Sequence, residues 1–510
     1  MFKNTCMKTY IKCVMNIAIL LFSTLIAQKQ VAGAANTYFF GNNTSATVKE
    51  MKVVTSQGEI PNSYLVAAVT GNDTPSEGVS EPEELGTQDI NEEIFDIQGG
   101  YFHPYLSIRG EWTDNLYNIN VDEIDNFLTV ISPGLWFGAP RMKEIPVSLS
   151  PHNAAVGGKR YSVPGKGSFD RFQSYLLGGL DYKIHSADSE LNHAAWRVEG
   201  LFQYNLPAGI SFRVLDRFTR DRDRYDLGSF IREDFTVISP DDIFVTSSPS
   251  RVRDYYSNQL NLAVNFDMSE RFTAHFDYIN FYLDYDEDEY NSWLDRTDNV
   301  YSLSLAYNHS PKTSVFIQYN HAFLTYDSDT DNDSENIFLY GGVSWQGSAK
   351  TSLMAKAGYQ TKQYDYVDEE GGKDNGSFTT EVQFNYLITD KTKIAFNLYK
   401  ALEETDSLAN RGKDTIAAKF RYDQQLTYRI KGHLEFWYEL NNYDGFDRAE
   451  NDIFFEDRND NRFMVRPAIQ YIFKDWLMSE LAYTYENRNS NDDMYDFTTQ
   501  TVIMSLNAAF

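Results

Sequence analysis

The sequence predicts an all-β fold, a closed antiparallel transmembrane β-barrel of about 18 strands (16–18), with short turns on one rim and long acidic loops on the other. Three observations predict it. Apolar and polar residues alternate with a period of two through most of the chain, which puts them on opposite faces of strands. The connections between the alternating runs are short and long by turns. The chain is polar on average, with a mean hydropathy of −0.47. Yet it is 15% aromatic, with 35 Tyr and 35 Phe. That combination suits a barrel with an apolar outer band, a polar inside and aromatic girdles at the lipid interfaces.

The first 35 residues read as a signal peptide. Lys3, Lys8 and Lys12 make a basic start. Residues 13–28 carry no charge and include Ile17-Ala18-Ile19-Leu20-Leu21-Phe22, and Ala32-Gly33-Ala34 offers a cleavage site. Both cysteines, Cys6 and Cys13, lie inside this segment. The mature chain is therefore expected to hold no disulfide and no thiol chemistry. The full chain has a net charge of −28, and loss of Lys3, Lys8, Lys12 and Lys29 with no acid takes it four units lower, to −32. Nucleic acid is excluded as a partner on that charge. Residues 36–98 form an N-terminal extension, read as a linker or a plug. Short strands are expected within 48–69, and 74–93 carries Pro75, Pro82 and a run of glutamates.

The barrel is assigned to residues 99–510. Its runs lie near 101–113, 125–137, 172–184, 194–206, 210–220, 254–268, 271–285, 298–308, 313–326, 335–346, 351–365, 376–388, 392–402, 413–429, 433–443, 461–473, 477–487 and 495–510. Each is long enough for the roughly 9–11 residues that a membrane strand needs. In 194–206, Trp196, Val198, Phe202, Tyr204 and Leu206 oppose Arg197, Glu199, Gln203 and Asn205. In 376–388, Phe378, Val382, Phe384 and Tyr386 oppose Thr379, Glu381, Gln383 and Asn385. In 413–429, Ile416, Ala418, Phe420, Tyr422, Leu426 and Tyr428 oppose Lys419, Arg421, Asp423, Gln425 and Arg429.

Short connections fall at 206–209, 268–270, 309–312, 347–350, 389–391, 430–432 and 474–476. Long acidic ones, such as 284–295, 327–335, 366–375, 402–413 and 444–459, lie between them. With both termini in the periplasm, the short turns are periplasmic and the long loops extracellular. Two connections break the rule. Residues 138–171 are a long piece on the short-turn side, and 221–253 are a long, arginine-containing loop on the other. Either is a candidate to fold inward and narrow a pore.

The last run ends at Phe510. Phe510, Leu506, Met504 and Val502 are expected to face lipid, and Asn507, Ser505 and Thr501 water, with the run pairing antiparallel to 101–113. A final strand closing on an aromatic resembles the C-terminal signal of bacterial outer-membrane barrels. The stretch Tyr101 to Gly138 carries Pro104-Tyr105-Leu106, Thr113-Asp114-Asn115-Leu116, Asp125-Asn126-Phe127-Leu128 and Ile131-Ser132-Pro133-Gly134-Leu135. It resembles the first hairpin of the outer-membrane β-barrel porin family of the second type, with Pro-Gly-Leu at a strand end. The resemblance implies an outer-membrane channel, and it raises exopolysaccharide export as an alternative. It further implies outer-membrane lipid and lipopolysaccharide as surroundings. Barrel-assembly machinery would read the last strand, and polysaccharide and periplasmic export proteins are the implied partners.

The sequence carries no Gly-x-Ser-x-Gly elbow and no phosphate loop, and its eight His are scattered. The run Asp327 to Glu335 fails the calcium-loop pattern, because Asn332 stands where Gly is required and Phe338 where Glu is. The expectation is a non-enzyme without cofactor or metal. Charges facing lipid near the midplane cost about 2–4 kcal/mol each. The charges of the polar faces are therefore assigned to the lumen: Arg109, Glu111, Arg197, Glu199, Arg213, Arg217, Glu381, Lys419, Arg421, Asp423, Glu435, Glu439, Arg462, Arg466 and Glu480, with Asp181 and Lys183 beside them. Trp437 and Tyr443 share that parity, where an aromatic ring can stack on a sugar.

Overall fold

A computed structural model describes residues 54–55, 58–59, 101–120, 123–139, 154–158, 171–206, 209–224, 252–286, 295–327, 333–365, 375–405, 410–445 and 458–509. The chain divides into two units, Met1–Asn62 and Ser63–Phe510. In the first, strands β1 (Val54–Thr55) and β2 (Gly58–Glu59) pair antiparallel, within the stretch where short strands were expected. The signal segment, the rest of 36–98, the interior of the arginine-containing loop at 225–251 and the loop residues 328–332 lie outside the described residues.

The second unit is a closed barrel of eighteen antiparallel strands. In chain order they are β3 (Phe102–Thr113), β4 (Asn126–Ala139), β5 (Phe172–His185), β6 (His193–Leu206), β7 (Ile210–Arg224) and β8 (Val252–Asp267). Next come β9 (Phe272–Tyr285), β10 (Arg296–Ser310), β11 (Thr313–Tyr326), β12 (Ser334–Ser348), β13 (Thr351–Tyr364) and β14 (Asn375–Thr389). The last six are β15 (Thr392–Glu403), β16 (Asn410–Gln425), β17 (Ile430–Gly445), β18 (Arg458–Lys474), β19 (Leu477–Ser490) and β20 (Phe497–Ala509). Each strand pairs with its chain neighbours, and β20 closes on β3 from Thr501 opposite Thr113 to Ala509 opposite Tyr105. Closure leaves no sheet edge, so every strand's backbone is paired within the sheet, as a lipid environment requires.

The short turns have a local cause. At Ser310, Ser348 and Thr389 a hydroxyl ends the strand, and the N–H two residues on donates to it at 3.1–3.2 Å. Such side chains substitute for a ladder bond and reverse the chain at once. One turn differs from expectation. β16 ends at Gln425, and the reversal is 426–429, not 430–432. The N–H groups of Arg429 and Ile430 donate to Thr427 Oγ1 at 3.2 and 3.0 Å. Leu426 and Tyr428 therefore stand exposed in a turn rather than on a strand face. Their spacing continued the alternation of β16, which hid the break.

On the last strand Val502 and Met504 are exposed, Leu506 and Ser505 half-buried, and Thr501 and Asn507 buried. Phe510 lies outside the described residues. The seam is locked by polar contacts on the inner face. Ser107 Oγ donates to Asn507 Oδ1 at 2.6 Å, and the hydroxyls of Thr113 and Thr499 lie 3.0 Å apart.

The Pro133-Gly134-Leu135 motif does not end its strand, because β4 runs on to Ala139. Gly134 faces inward opposite Tyr105, and a Cβ there would lie 2.1 Å from the Tyr105 ring. Gly179 on β5 makes room for the same tyrosine, with its Cβ position 2.7 Å from the hydroxyl. The glycines are a seat for an aromatic ring, not a turn signal.

Candidate functional site: the inner wall

The fifteen charged residues assigned to the inside are all buried or half-buried, and none is exposed. They fall into two groups. The first spans β3, β6 and β7. Arg109 and Glu111 approach to 4.0 Å. Arg217 Nε donates to Glu199 Oε2 at 2.5 Å, and Tyr175 donates to the other oxygen of Glu199. Arg213 lies 3.9 Å from Asp277 on β9. Arg197, half-buried, flanks this group.

The second group spans β14 to β19. Arg421 bridges Asp423 at 2.9 Å and Glu435 at 3.1 Å. Arg466 lies 3.6 Å from Glu435 and donates to Glu480 at 2.7 Å, and Gln470 donates to Glu480 at 2.8 Å. Lys419 sits 5.6 Å over the Trp437 ring, whose Nε1 donates to Glu439 at 3.2 Å. Arg462 meets Glu486 at 2.5 Å, and Glu381 meets Lys356 at 3.0 Å. Lys419, Arg421, Asp423 and Arg462 are half-buried and keep solvent access, whereas Glu435, Glu439, Arg466 and Glu480 are buried. The arrangement is a mixed-sign wall in which most charges meet an opposite charge on the same or a nearby strand. Tyr443 is likewise buried, with the Arg458 guanidinium 3.6 Å from its ring centre.

Several participants were missed. Lys356 and Lys362 share the inward parity of β13, a signal the alternation already carried. Glu403 and Glu404 fall in 402–413, which the sequence assigned to a long loop, and Arg296 falls between the loop 284–295 and the run from 298, where alternation stops being informative.

The inner wall is also less polar than expected. From β9, Ile279, Phe281, Leu283 and Tyr285 face inward and are buried, joined by Val300, Ala322 and Leu324 from β10 and β11. Val156 packs on part of this surface. Residues 154–158 belong to the long connection between β4 and β5, which leaves and re-enters at the short-turn rim. Their partners lie elsewhere. The Gly157 N–H donates to Asp298 Oδ2 at 2.8 Å, and Gln259 Nε2 donates to the Gly157 carbonyl at 2.7 Å. Arg296 donates to the Ala155 carbonyl at 3.4 Å, and the Glu404 N–H donates to the Ala154 carbonyl at 2.9 Å. Asp298 and Glu404 stand at the long-loop ends of β10 and β15. The segment is therefore inside the barrel, toward the end opposite the rim where its connection begins.

Gly157 is required there. Its φ is +69°, and a Cβ would lie 2.9 Å from Val300 Cγ2. Around it, Arg296 pairs with Asp298 at 3.0 Å. Glu404 receives Lys362 at 2.5 Å and the Tyr326 hydroxyl at 2.7 Å. Glu404 lies one residue beyond β15. Burial pushes its carboxyl up, but Lys362 and Arg296, with the hydrogen bonds from Lys362 and Tyr326, outweigh this and hold it below the usual carboxylate range.

Eighteen closed strands with apolar residues outside and paired charges inside define a β-barrel of the kind that crosses a membrane with strands. Residues 268–510 match the family model described as Putative beta-barrel porin 2, in support of the resemblance seen in the first hairpin. No curated protein matches the chain. Among solved structures, OccAB4 of Acinetobacter baumannii is 9% identical, with 81% of this chain and 100% of that one covered at a TM-score of 0.38. OccK5 (OpdH) of Pseudomonas aeruginosa is 10% identical, with 80% and 98% covered at 0.37. OpdK of Pseudomonas aeruginosa, solved with vanillate, is 9% identical, with 81% and 100% covered at 0.38.

Proposed function

We propose that the chain is an outer-membrane channel that passes polar solutes, saccharides in particular, through a charged and hydrated lumen. One observation carries this reading: Arg421, Asp423 and Arg462 on β16 and β18 keep solvent access while paired to neighbours, and Lys419 keeps it beside the Trp437 ring. A wall of balanced charges offers hydrogen bonds to hydroxyl groups without a strong field of either sign. Trp437 beside Lys419 is buried, at 7% exposure, so the expected stacking on a sugar ring does not fall to it. The last strand would be the part read by the barrel-assembly machinery, and the exposed apolar band would meet lipid and lipopolysaccharide.

Planar-bilayer recording of the purified protein tests the reading, together with liposome swelling in a series of neutral saccharides. Conductance and saccharide entry are expected. No conductance, even after removal of residues 36–98, would overturn it.

A second reading, export of an exopolysaccharide with periplasmic machinery, draws on the entry of residues 154–158 into the barrel from a connection based on the short-turn rim. Deleting the gene should then abolish surface polymer. An unchanged polymer level would sink that alternative.

A further inference from the structure

We infer that residues 154–158 are a latch that ties the inward-reaching end of β15 to the wall of β8 to β11 and so narrows the long-loop half of the barrel. This rests on the channel reading for its physiological meaning, but not for its geometry. Four contacts seat the segment on strands far apart in the sheet: Gln259 on β8, Arg296 and Asp298 on β10, and Glu404 beyond β15. The segment lies along the wall of β8 to β11, and the end of β15 reaches inward to meet it, with Glu404 also held by Tyr326 of β11 and Lys362 of β13. Val156 covers an apolar inner patch of Ile279, Val300 and Ala322, a surface unsuited to a water-filled passage. Both covalent ends of the connection, Ala139 and Phe172, lie at the opposite rim.

Polar side-chain atoms of Thr219, Ser257, Gln259 and Asn261 are buried without a hydrogen-bond partner on the inner face of β7 and β8. Unpaired buried groups disfavour the closed arrangement.

Two measurements on the full-length protein test this. In the first, Ala322→Cys reports access to the covered patch through a membrane-impermeant maleimide, with and without Gly157→Val. Valine at 157 meets Val300 and cannot hold the φ of +69°, so it unseats the latch without altering the wall. Labelling should be several-fold faster with Gly157→Val, while gel mobility of the unheated protein shows the barrel intact. Equal labelling rates would overturn the inference. In the second, Val156→Cys with Val300→Cys keeps Gly157 and is compared oxidised and reduced, which guards against a Gly157→Val chain that fails to fold. The oxidised form should label more slowly at a third cysteine, Ala322→Cys, and conduct less in bilayers than the reduced form. Identical labelling in the two forms would refute the latch. Absence of conductance in every form, with labelling still dependent on oxidation, would refute the channel reading and leave the latch standing.

Discussion

The backbone N–H of Gly157 donates to the carboxylate of Asp298 at 2.8 Å, across 141 positions of sequence and from the inside of the barrel. This contact joins a connection based at one rim to a strand end at the other. Asp298 also holds Arg296, so a single carboxylate fixes both the segment and the buried cation beside it.

Asp298→Ala should therefore do two things. It removes a hydrogen bond to a charged acceptor, worth about 1.5–3 kcal/mol, and it breaks the pair with Arg296, which keeps Glu404 nearby, so the lower end of about 3–5 kcal/mol for a broken buried pair applies. A lower midpoint for loss of folded-barrel mobility on unheated gels is the expected outcome. Asp298→Asn, which keeps an acceptor oxygen, should lose less.

Acid should loosen the same region. The Glu404 carboxyl is held below its unfolded range, so its contribution is fully present above the ordinary carboxylate pKa. That contribution is lost as pH falls through the lowered folded value. Lys362, Arg296 and Tyr326, which face it from β13, β10 and β11, keep their protons throughout that window. Maleimide labelling of Ala322→Cys, after brief exposure to stepped acid and return to neutral pH with fast quenching, should rise only below the ordinary Glu range. In Glu404→Gln, labelling should already be raised at neutral pH.

Glu435 accepts two arginines, Arg421 and Arg466, on neighbouring strands. Glu435→Gln should cost about 3–5 kcal/mol if the buried Arg466 behaves as a charge deprived of a partner. Arg466 keeps Glu480, so the lower end is expected. The same change removes one inner negative charge. The bilayer reversal potential in a salt gradient should move toward anions, and an unmoved potential would place Glu435 off the conducting path.

The outward face of β20 gives a test of which side meets lipid. Met504 is 65% exposed on a strand whose neighbouring parity is buried. Met504→Lys should cost up to about 2–4 kcal/mol, as charges on a lipid face do near the midplane, and should lower assembly yield. Asn507→Ala, on the inner face, should cost about 1 kcal/mol through the lost bond from Ser107.

The seat of Tyr105 yields a last expectation. Gly134→Val would collide with the ring across the β3–β4 pair and with its place beside Gly179. Destabilisation by about 1–3 kcal/mol is expected for such overpacking. Pairing it with Tyr105→Ala should recover part of the loss.

The eighteen runs of alternating residues correspond one to one with the eighteen strands. That much is local: a period of two assigns each side chain to a face wherever the strand continues, and a Ser or Thr hydroxyl marks where it turns. Local pattern failed where it was ambiguous, as at Leu426 and Tyr428, which kept the rhythm of β16 into a turn. It also said nothing of which charges would meet, because Glu435 finds Arg466 only through the register of β17 on β18. The inward seat of residues 154–158 was decided by tertiary structure alone. It depends on Gly157 reaching Asp298, Gln259 and Val300 from far along the chain, and on an apolar patch that exists only once β9, β10 and β11 lie side by side. Alternation records the two faces of a strand, and no single strand records what will be folded against its inner face.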